Sequence, residues 1–294
     1  MSIYFEQHHD NSCFNSADSW IVLSEIEQCI KAKIEAVGTP LKDWDINIYR
    51  GILTGYNEAF IIDGKKKDEL ITSDPKSAEI IRPILRGRDI KRYGYDFADL
   101  WLISTHNGIK EKNLKRIFIE GYPAIKKHLD QYYTQLEKRS DKGDTLYNLR
   151  NCAYMEDFSR PKVIYPNMTK FLPFVYDDKG FLTNQKCFII TGEKIAFLTA
   201  FLNSSLFKYC FRDNFPELQG GTRELSKVFF DKITVLKVTD EINQQFEKLI
   251  LNIQSLKTEN KKTKNIEIQV DNIIFDLYDV TVEERTEIGF IEIQ

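Results

Sequence analysis

Acidic residues placed two positions before a lysine are the first feature that could carry catalysis. Such pairs occur at Asp74–Lys76, Asp89–Lys91 and Glu259–Lys261, and each has the form of the acidic-x-Lys half of a magnesium-dependent nuclease site. None follows a proline–aspartate pair, and such tripeptides arise readily in a chain in which 29% of residues are charged. A stand-alone Mg-dependent nuclease is therefore an alternative and not the main prediction.

Other catalytic signatures are absent from the sequence. It has no G-x-G-x-x-G, Walker A, H-E-x-x-H or G-x-S-x-G motif. His8 and His9 lack the cysteines or second histidine pair that a zinc site needs. The Asn/Asp/Ser-Pro-Pro-aromatic tetrapeptide of amino-methyltransferases is also missing. We therefore expect no catalytic residue, metal or cofactor in this chain.

A cluster of cations between Arg82 and Arg92 favours nucleic-acid binding. It places five basic residues in eleven positions, interleaved with Pro83 and Gly87. Because proline and glycine are poor in helices, the segment is predicted to be an ordered loop. Arginine in such a loop can grip a phosphate or read guanine O6 and N7 in a bidentate manner. The predicted DNA contacts of this loop are Arg86, Arg88, Lys91 and Arg92.

Two glycine-containing loops supply further candidates. The bend Gly51–Asn57 lets the backbone approach a ligand closely, which predicts contacts from Arg50, Thr54 and Asn57; a plain hairpin turn is the alternative. The pair Gly220–Gly221 also lets backbone amides approach a phosphate, which predicts contacts from Gln219, Thr222 and Arg223; a plain flexible loop is the alternative.

A cluster of further cations is predicted to be helical and either to neutralise the DNA backbone or to remain solvated: Lys110, Lys112, Lys115, Arg116, Lys126 and Lys127.

The net charge of −3 conceals a basic middle between acidic ends. Residues 1–45 hold 3 basic and 8 acidic residues, and residues 240–294 hold 6 and 12. The remaining segment, 46–239, holds 32 basic and 24 acidic residues and so carries +8. This asymmetry makes a polyanion the first candidate partner.

Composition indicates an ordinary globular protein. Of its 294 residues, 42% are hydrophobic, which excludes a disordered or collagen-like chain. Five scattered cysteines with no C-x-x-C pair indicate reduced thiols and a cytoplasmic location. The sequence has no secretory signal pattern and no apolar run of the ~20 residues that cross a bilayer, so no membrane partner is expected.

The elements that must position these residues alternate between helices and short strands. Helical periodicity marks 18–37, 109–138 with a break at Tyr122–Pro123, and 193–211. Two amphipathic helices at 241–257 and 266–277 are predicted to form a hairpin, with a last short helix after the capping box at Thr281. Strands are predicted on both sides of the Gly51–Asn57 bend and at four later segments: 100–105, 162–165, 171–176 and 186–191.

These elements give the predicted fold class, α+β. The predicted fold is a small mixed β-sheet domain with flanking helices and a C-terminal helical hairpin. The predicted domains are an N-terminal helical linker segment at 1–45, a central domain at 46–239 that carries the predicted DNA contacts, and a C-terminal helical segment at 240–294.

An ordered series of motifs resembles one protein family, the TaqI-like C-terminal specificity domain. The opening motif is Gly51-Ile-Leu-Thr-Gly-Tyr-Asn-Glu-Ala-Phe60. The others follow in order: Ile80–Tyr93, Trp101–Gly108, Tyr122–Leu129, Pro161–Pro166, Leu202–Leu206, Gln219–Thr222 and Leu277–Glu284. The resemblance covers about 46–290 and departs from the pattern at Asp279, where a glycine is expected after Tyr278.

The resemblance implies a function and a set of partners. The family provides the DNA target-recognition module of type IIG restriction-modification enzymes and of related adenine-specific DNA methyltransferases, which implies that residues 46–239 are a DNA target-recognition domain. The chain is thus expected to bind double-stranded DNA and to direct a linked methyltransferase and endonuclease, in cis or in trans. S-adenosylmethionine and magnesium are expected only in those catalytic parts. A specificity subunit that docks separate catalytic chains is a further alternative.

Overall fold

A computed structural model describes residues 24–109 and 114–291 and confirms the α+β class. The described chain forms two compact units. The sheet unit comprises residues 47–168 and 172–195, and the helical unit comprises residues 24–46, 169–171 and 196–291. The unit changes at residue 46, where the sequence predicts a domain boundary. Residues 196–239, predicted as part of the recognition domain, belong to the helical unit.

The sheet unit contains two four-stranded sheets. The first has its strands in the spatial order Val175–Asp177, Lys162–Pro166, Cys187–Gly192 and Ile46–Arg50. The second has the order Leu182–Thr183, Ile81–Leu85, Leu100–Ile103 and Ile61–Asp63. In the second sheet the first pair of strands is parallel and the other pairs are antiparallel.

Strand Lys162–Pro166 lies at the centre of the core. All five of its residues are buried, and Ile164 is opposite Val175 on one side and Ile189 on the other. β-branched residues of this kind favour a pleated, buried surface. Smaller two-stranded elements complete the unit, including Ile90–Lys91 paired with Gly94–Tyr95.

Helices of the sheet unit begin where the sequence supplies a start signal. Asp63 caps the helix Gly64–Ser73 by accepting from the backbone N–H of Lys66. Pro123 occupies the first turn of the helix Pro123–Asp130, which is followed by Tyr133–Lys138. The Gly51–Asn57 bend leads into a short helix, Asn57–Phe60, before the next strand.

The helix predicted over 109–121 is wrong, so Lys115 and Arg116 are not helical. Ile109 and Leu114 pair as an antiparallel bridge, and Ile119–Gly121 forms a single 3₁₀ turn. The backbone N–H of Ile117 donates to the backbone carbonyl of His106, and the Asn148 side-chain amide donates to the Ile117 carbonyl. These tertiary hydrogen bonds replace the helical ones. Lys110 and Lys112 lie outside the described residues.

The helical unit is built on a capped N-terminal helix and a C-terminal helical pair. Its helices are Glu25–Val37, Ile195–Asn203, Ser205–Phe211, Lys227–Phe230, Asp240–Thr258, Lys264–Leu277 and Val282–Ile288. Two short strands, Thr39–Pro40 and Thr234–Val235, pair antiparallel. The helices Asp240–Thr258 and Lys264–Leu277 contact each other, as the predicted hairpin requires.

Three helix predictions can be compared with the structure at the helix ends. The capping box at Thr281 is confirmed, because its hydroxyl accepts from the Glu284 N–H while the Glu284 carboxylate accepts from the Thr281 N–H. The single helix predicted over 193–211 is two helices, because Ser204 caps the second one. Of the helix predicted over 18–37, residues 25–37 are helical and 18–23 lie outside the described residues.

Within the described ranges, no helix is long and apolar enough to cross a membrane.

Candidate nucleic-acid interface

Arg86 shapes the basic loop through its contacts with Asp89. Its Nε lies 3.0 Å from Asp89 Oδ2 and its Nη2 lies 2.8 Å from Asp89 Oδ1. The backbone N–H of Arg86 donates to the same carboxylate at 2.8 Å. These hydrogen bonds to Asp89, which is buried, raise the pKa of the Arg86 guanidinium. The bidentate pair neutralises both charges and closes the loop.

The other cations of this loop differ in exposure and pairing. Lys91 Nζ lies 3.5 Å from a carboxylate oxygen of Asp96. Arg92 is only 2% exposed, so its side chain is held within the unit. Arg88 is exposed at the tip and forms no ion pair with any residue that the structure describes. Of the four residues predicted to contact DNA in this loop, Arg88 is therefore the one whose charge is both accessible and without a carboxylate partner among the described residues.

Arg50 is exposed at the end of the strand Ile46–Arg50. Its Nε donates to the Gln185 carbonyl at 3.0 Å, and its own carbonyl accepts from the Tyr154 hydroxyl at 2.9 Å. The Tyr154 ring stacks on Tyr49, with ring centroids 4.2 Å apart. The backbone that carries Arg50 is thus held from two sides.

The turn at residues 184–186 lies between Arg50 and the basic loop. A Cβ placed on Gly51 would lie 2.0 Å from the Asn184 carbonyl oxygen, so only glycine allows this approach. On the other side, a Cβ placed on Gly87 would lie 3.3 Å from the Lys186 carbonyl oxygen. The turn therefore brings Lys186, which is exposed, beside both segments.

Arg50, Arg88 and Lys186 together form a surface that we call the basic edge. All three side chains are exposed, and none pairs with a carboxylate among the residues that the structure describes. Some other cations of the sheet unit have a carboxylate partner, as Arg160 has in Asp157 and Lys126 in Asp130. An uncompensated cationic surface on rigid backbone is suited to binding a polyanion.

Sequence reasoning missed Lys186, because its neighbours in the sequence give no signal. Residues 184–187 come more than 90 positions after the basic loop, and only the pairing of strands brings the two together. The Gly51–Asn57 element was identified, but its role is partly structural. Thr54 is buried, and its hydroxyl donates to Asn57 Oδ1 at 2.6 Å, whereas Asn57 is exposed.

Arg139 anchors this bend, which the sequence indicated only as part of a polar loop. Its guanidinium donates to four backbone carbonyl oxygens, those of Thr54, Asp141, Leu146 and Asn148. It also lies over the Phe60 ring, 4.6 Å from the centroid. Burial lowers the pKa of Arg139 to about 10. An arginine surrounded by carbonyl oxygens holds the bend in one conformation.

The contacts predicted around Gly220–Gly221 lie in the helical unit. Gln219 is exposed, and Thr222 Oγ1 donates to its carbonyl at 3.0 Å. Gly220 has a φ of +74°, which favours glycine. Arg223 is buried and donates to the Phe215 carbonyl at 2.7 Å, so it shapes the loop from inside. Gln219 is the most accessible member of this group.

The acidic residues of the nuclease alternative have structural partners. Asp89 is paired with Arg86, and Asp74 accepts from the backbone N–H of Lys76 and caps a 3₁₀ turn. Glu259 lies 2.6 Å from Lys261 Nζ. In the part of the chain that the structure describes, no three histidine, cysteine or acidic side chains are grouped to hold a metal ion.

Solved structures of known proteins share the fold of this chain. Two solved structures are similar in fold: the type IIL restriction-modification enzyme MmeI in complex with DNA and the type IIG restriction endonuclease BpuSI. The identities are 10% and 18%, and the TM-scores are 0.59 and 0.51. The matches cover 83% and 87% of this chain but 34% of each of those chains, so this chain spans about a third of their length.

A family model matches residues 82–235, slightly more than half of the chain. The matched segment contains the basic loop with Arg88, the turn with Lys186, and the glycine loop of the helical unit. The chain therefore belongs to the family of TaqI-like C-terminal specificity domains.

Proposed function

We propose that the sheet unit binds double-stranded DNA through the basic edge and thereby selects the site on which a restriction-modification enzyme acts. The observation that carries the proposal is the group of three exposed cations without carboxylate partners, Arg50, Arg88 and Lys186. Membership of a specificity-domain family supports it. The +8 balance of residues 46–239 supports it as well.

The three cations differ in what they can recognise. Arg88 projects from a loop that the Arg86–Asp89 pair holds rigid, and a positioned guanidinium can bind guanine O6 and N7 together. Lys186 carries a compact point charge, which suits a phosphate. Arg50 is partly engaged by the Gln185 carbonyl, which suits a positioning contact with the DNA backbone. We therefore assign base reading to Arg88 and phosphate binding to Arg50 and Lys186.

The test is selection of bound sequences from a random duplex library, followed by fluorescence anisotropy on the selected duplex. Arg88→Ala should cost about 1–3 kcal/mol and relax the preference at one base pair. Lys186→Ala should weaken all duplexes alike and reduce the salt slope by about one unit. Arg160→Ala is the matched control, because Arg160 is exposed but lies 3.8 Å from Asp157. Unchanged binding in both variants would refute the assignment.

We further propose that methylation and cleavage belong to methyltransferase and nuclease parts that act with this chain, in cis or in trans. S-adenosylmethionine and magnesium would be bound by those parts. The similarity to about a third of MmeI and BpuSI supports this division. Incubation of this chain with plasmid DNA and Mg²⁺ or Mn²⁺ should leave the plasmid intact. Cleavage that Asp74→Asn or Asp89→Asn abolishes would favour the nuclease alternative instead.

A further inference from the structure

A cleft in the sheet unit is separate from the residues of the basic edge. Its volume is about 380 Å³, within the size range of small-molecule sites. Its apolar walls include Ile80, Ile117 and Met155, and the ring of Tyr122 adds an aromatic surface. A cleft of this size and lining suits a flat, partly apolar ligand of modest size.

The cleft contains hydrogen-bond donors. His106 Nδ1 accepts from the backbone N–H of Gly108 at 3.1 Å, so in the neutral ring the proton is on Nε2. Burial lowers the pKa of His106, which keeps the ring neutral at pH 7. Arg82 is exposed on its strand and forms no ion pair with the described part of the chain. Ser104 also lines the cleft.

The cleft also contains acceptors. The Tyr122 hydroxyl donates to Glu79 Oε2 at 2.9 Å, which orients the Glu79 carboxylate. Glu156 contributes a second carboxylate to the lining. One guanidinium, one neutral imidazole and two carboxylates therefore line a single cleft.

This combination selects among ligand classes. Two carboxylates repel a bare phosphate, and a polyamine, which offers only donors, would leave the Arg82 guanidinium without an acceptor. A neutral heterocycle that carries both N–H donors and ring or carbonyl acceptors satisfies both kinds of group. The Watson–Crick edge of a nucleobase has this character, and enzymes that extrude a base read that edge by hydrogen bonds while apolar side chains stack on the ring.

We propose that this cleft binds a single unpaired nucleobase, with Glu79 accepting from its amino or imino N–H and Arg82 and His106 donating to its acceptors. The base comes either from a nucleotide extruded from bound DNA or from a free nucleoside. The DNA source depends on the proposed function, whereas the chemistry of the cleft does not.

The experiment measures binding of adenosine, guanosine, cytidine and thymidine to the whole chain by saturation-transfer NMR. Saturable binding of at least one nucleoside is expected. Glu79→Gln and Arg82→Met should each weaken it about tenfold, as expected when ~1.4 kcal/mol of hydrogen bonding is lost. Glu79→Gln retains an oxygen that can accept from Tyr122, so folding, checked by thermal melting, should be preserved. Lys138→Met, exposed and outside the lining, is the matched control.

A second arm distinguishes the two sources. A duplex with one bulged nucleotide should displace the nucleoside if the base is extruded from DNA, and a fully paired duplex should not. Displacement by neither duplex would assign the cleft to a free nucleoside. Absence of saturable nucleoside binding, or binding equal in wild type and both cleft variants, would overturn the proposal. The basic edge is tested separately. Weaker duplex binding by Arg88→Ala supports the basic edge whether or not nucleosides bind, and unchanged duplex binding together with saturable nucleoside binding would refute the basic edge alone.

Discussion

Replacement of Lys162 by methionine removes one half of an ion pair buried inside the sheet unit. Lys162 and Asp177 are opposite each other on neighbouring antiparallel strands, and both side chains have 0% exposure. Nζ lies 2.5 Å from Asp177 Oδ2 and 2.6 Å from the Phe158 carbonyl oxygen. Asp177 also accepts from the backbone N–H groups of Lys179 and Phe181. The Lys162–Asp177 ion pair therefore joins two strands and the turn that follows Asp177.

The expected magnitude follows from what Lys162→Met leaves behind. Removal of one partner of a buried pair costs about 3–5 kcal/mol, because the remaining charge is uncompensated. The two backbone N–H groups still bind Asp177 and offset part of that cost, so we expect a value near the lower limit, about 3 kcal/mol. In the double variant Lys162→Met, Asp177→Asn, no charge is buried, and the amide oxygen still accepts from one of the two backbone N–H groups. Its stability should return to within about 1 kcal/mol of wild type.

The assay is urea denaturation followed by circular dichroism, with the slope m compared among variants. Lys138→Met, at an exposed position, is the control and should change the free energy of unfolding by less than about 0.5 kcal/mol. A loss below about 1 kcal/mol in Lys162→Met would show that the pair is not buried as described. A double variant as unstable as the single one would show that packing of the lysine stem, and not charge, explains the loss.

Three further predictions concern other parts of the fold. Phe246 is fully buried with its ring 5.3 Å from Phe197, so Phe246→Ala should lower the free energy of unfolding by about 3–5 kcal/mol, while the DNA affinity of the folded fraction, measured by anisotropy, stays the same. Gly51→Ala forces a methyl group against the Asn184 carbonyl and should cost about 1–3 kcal/mol by urea denaturation; it should also weaken DNA binding by displacing the turn. Burial raises the pKa of Tyr154 from 10.0 to about 12, so its contribution to stability is complete below pH 10 and is lost as pH rises to about 12. Tyr154→Phe should flatten that alkaline decline in urea titrations at several pH values; an unchanged profile would contradict the assignment.

The sequence by itself determined the features that depend on neighbours in the chain. The amphipathic stripes of Asp240–Thr258 and Lys264–Leu277 predict both helices, because apolar residues spaced three or four positions apart lie on one face of a helix. The capping box at Thr281 is likewise local, with partners three residues apart. The family motifs and the basic middle segment are also readable without a structure, which is why the family and the class of partner could be predicted.

Local pattern failed where distant contacts replaced local ones. The segment 109–121 has helix-compatible residues, yet Asn148 and His106 bind its backbone, and a backbone group bonded across the fold cannot also bond within a helix. The pairing of Arg86 with Asp89, by contrast, was available from a spacing of three residues. It would have indicated that Arg86 helps to hold the loop in shape.

Only the tertiary structure decided which cations are available to a ligand. The composition shows where arginines and lysines occur but not which carboxylates or carbonyl oxygens they meet. Arg92 and Arg223 are buried, Arg139 is surrounded by four carbonyl oxygens, and Arg88 is left exposed. Lys186 joins Arg88 because strand pairing brings a distant turn to the same edge. The charge of a side chain is a property of the sequence, but its exposure and its partners depend on how distant segments pack.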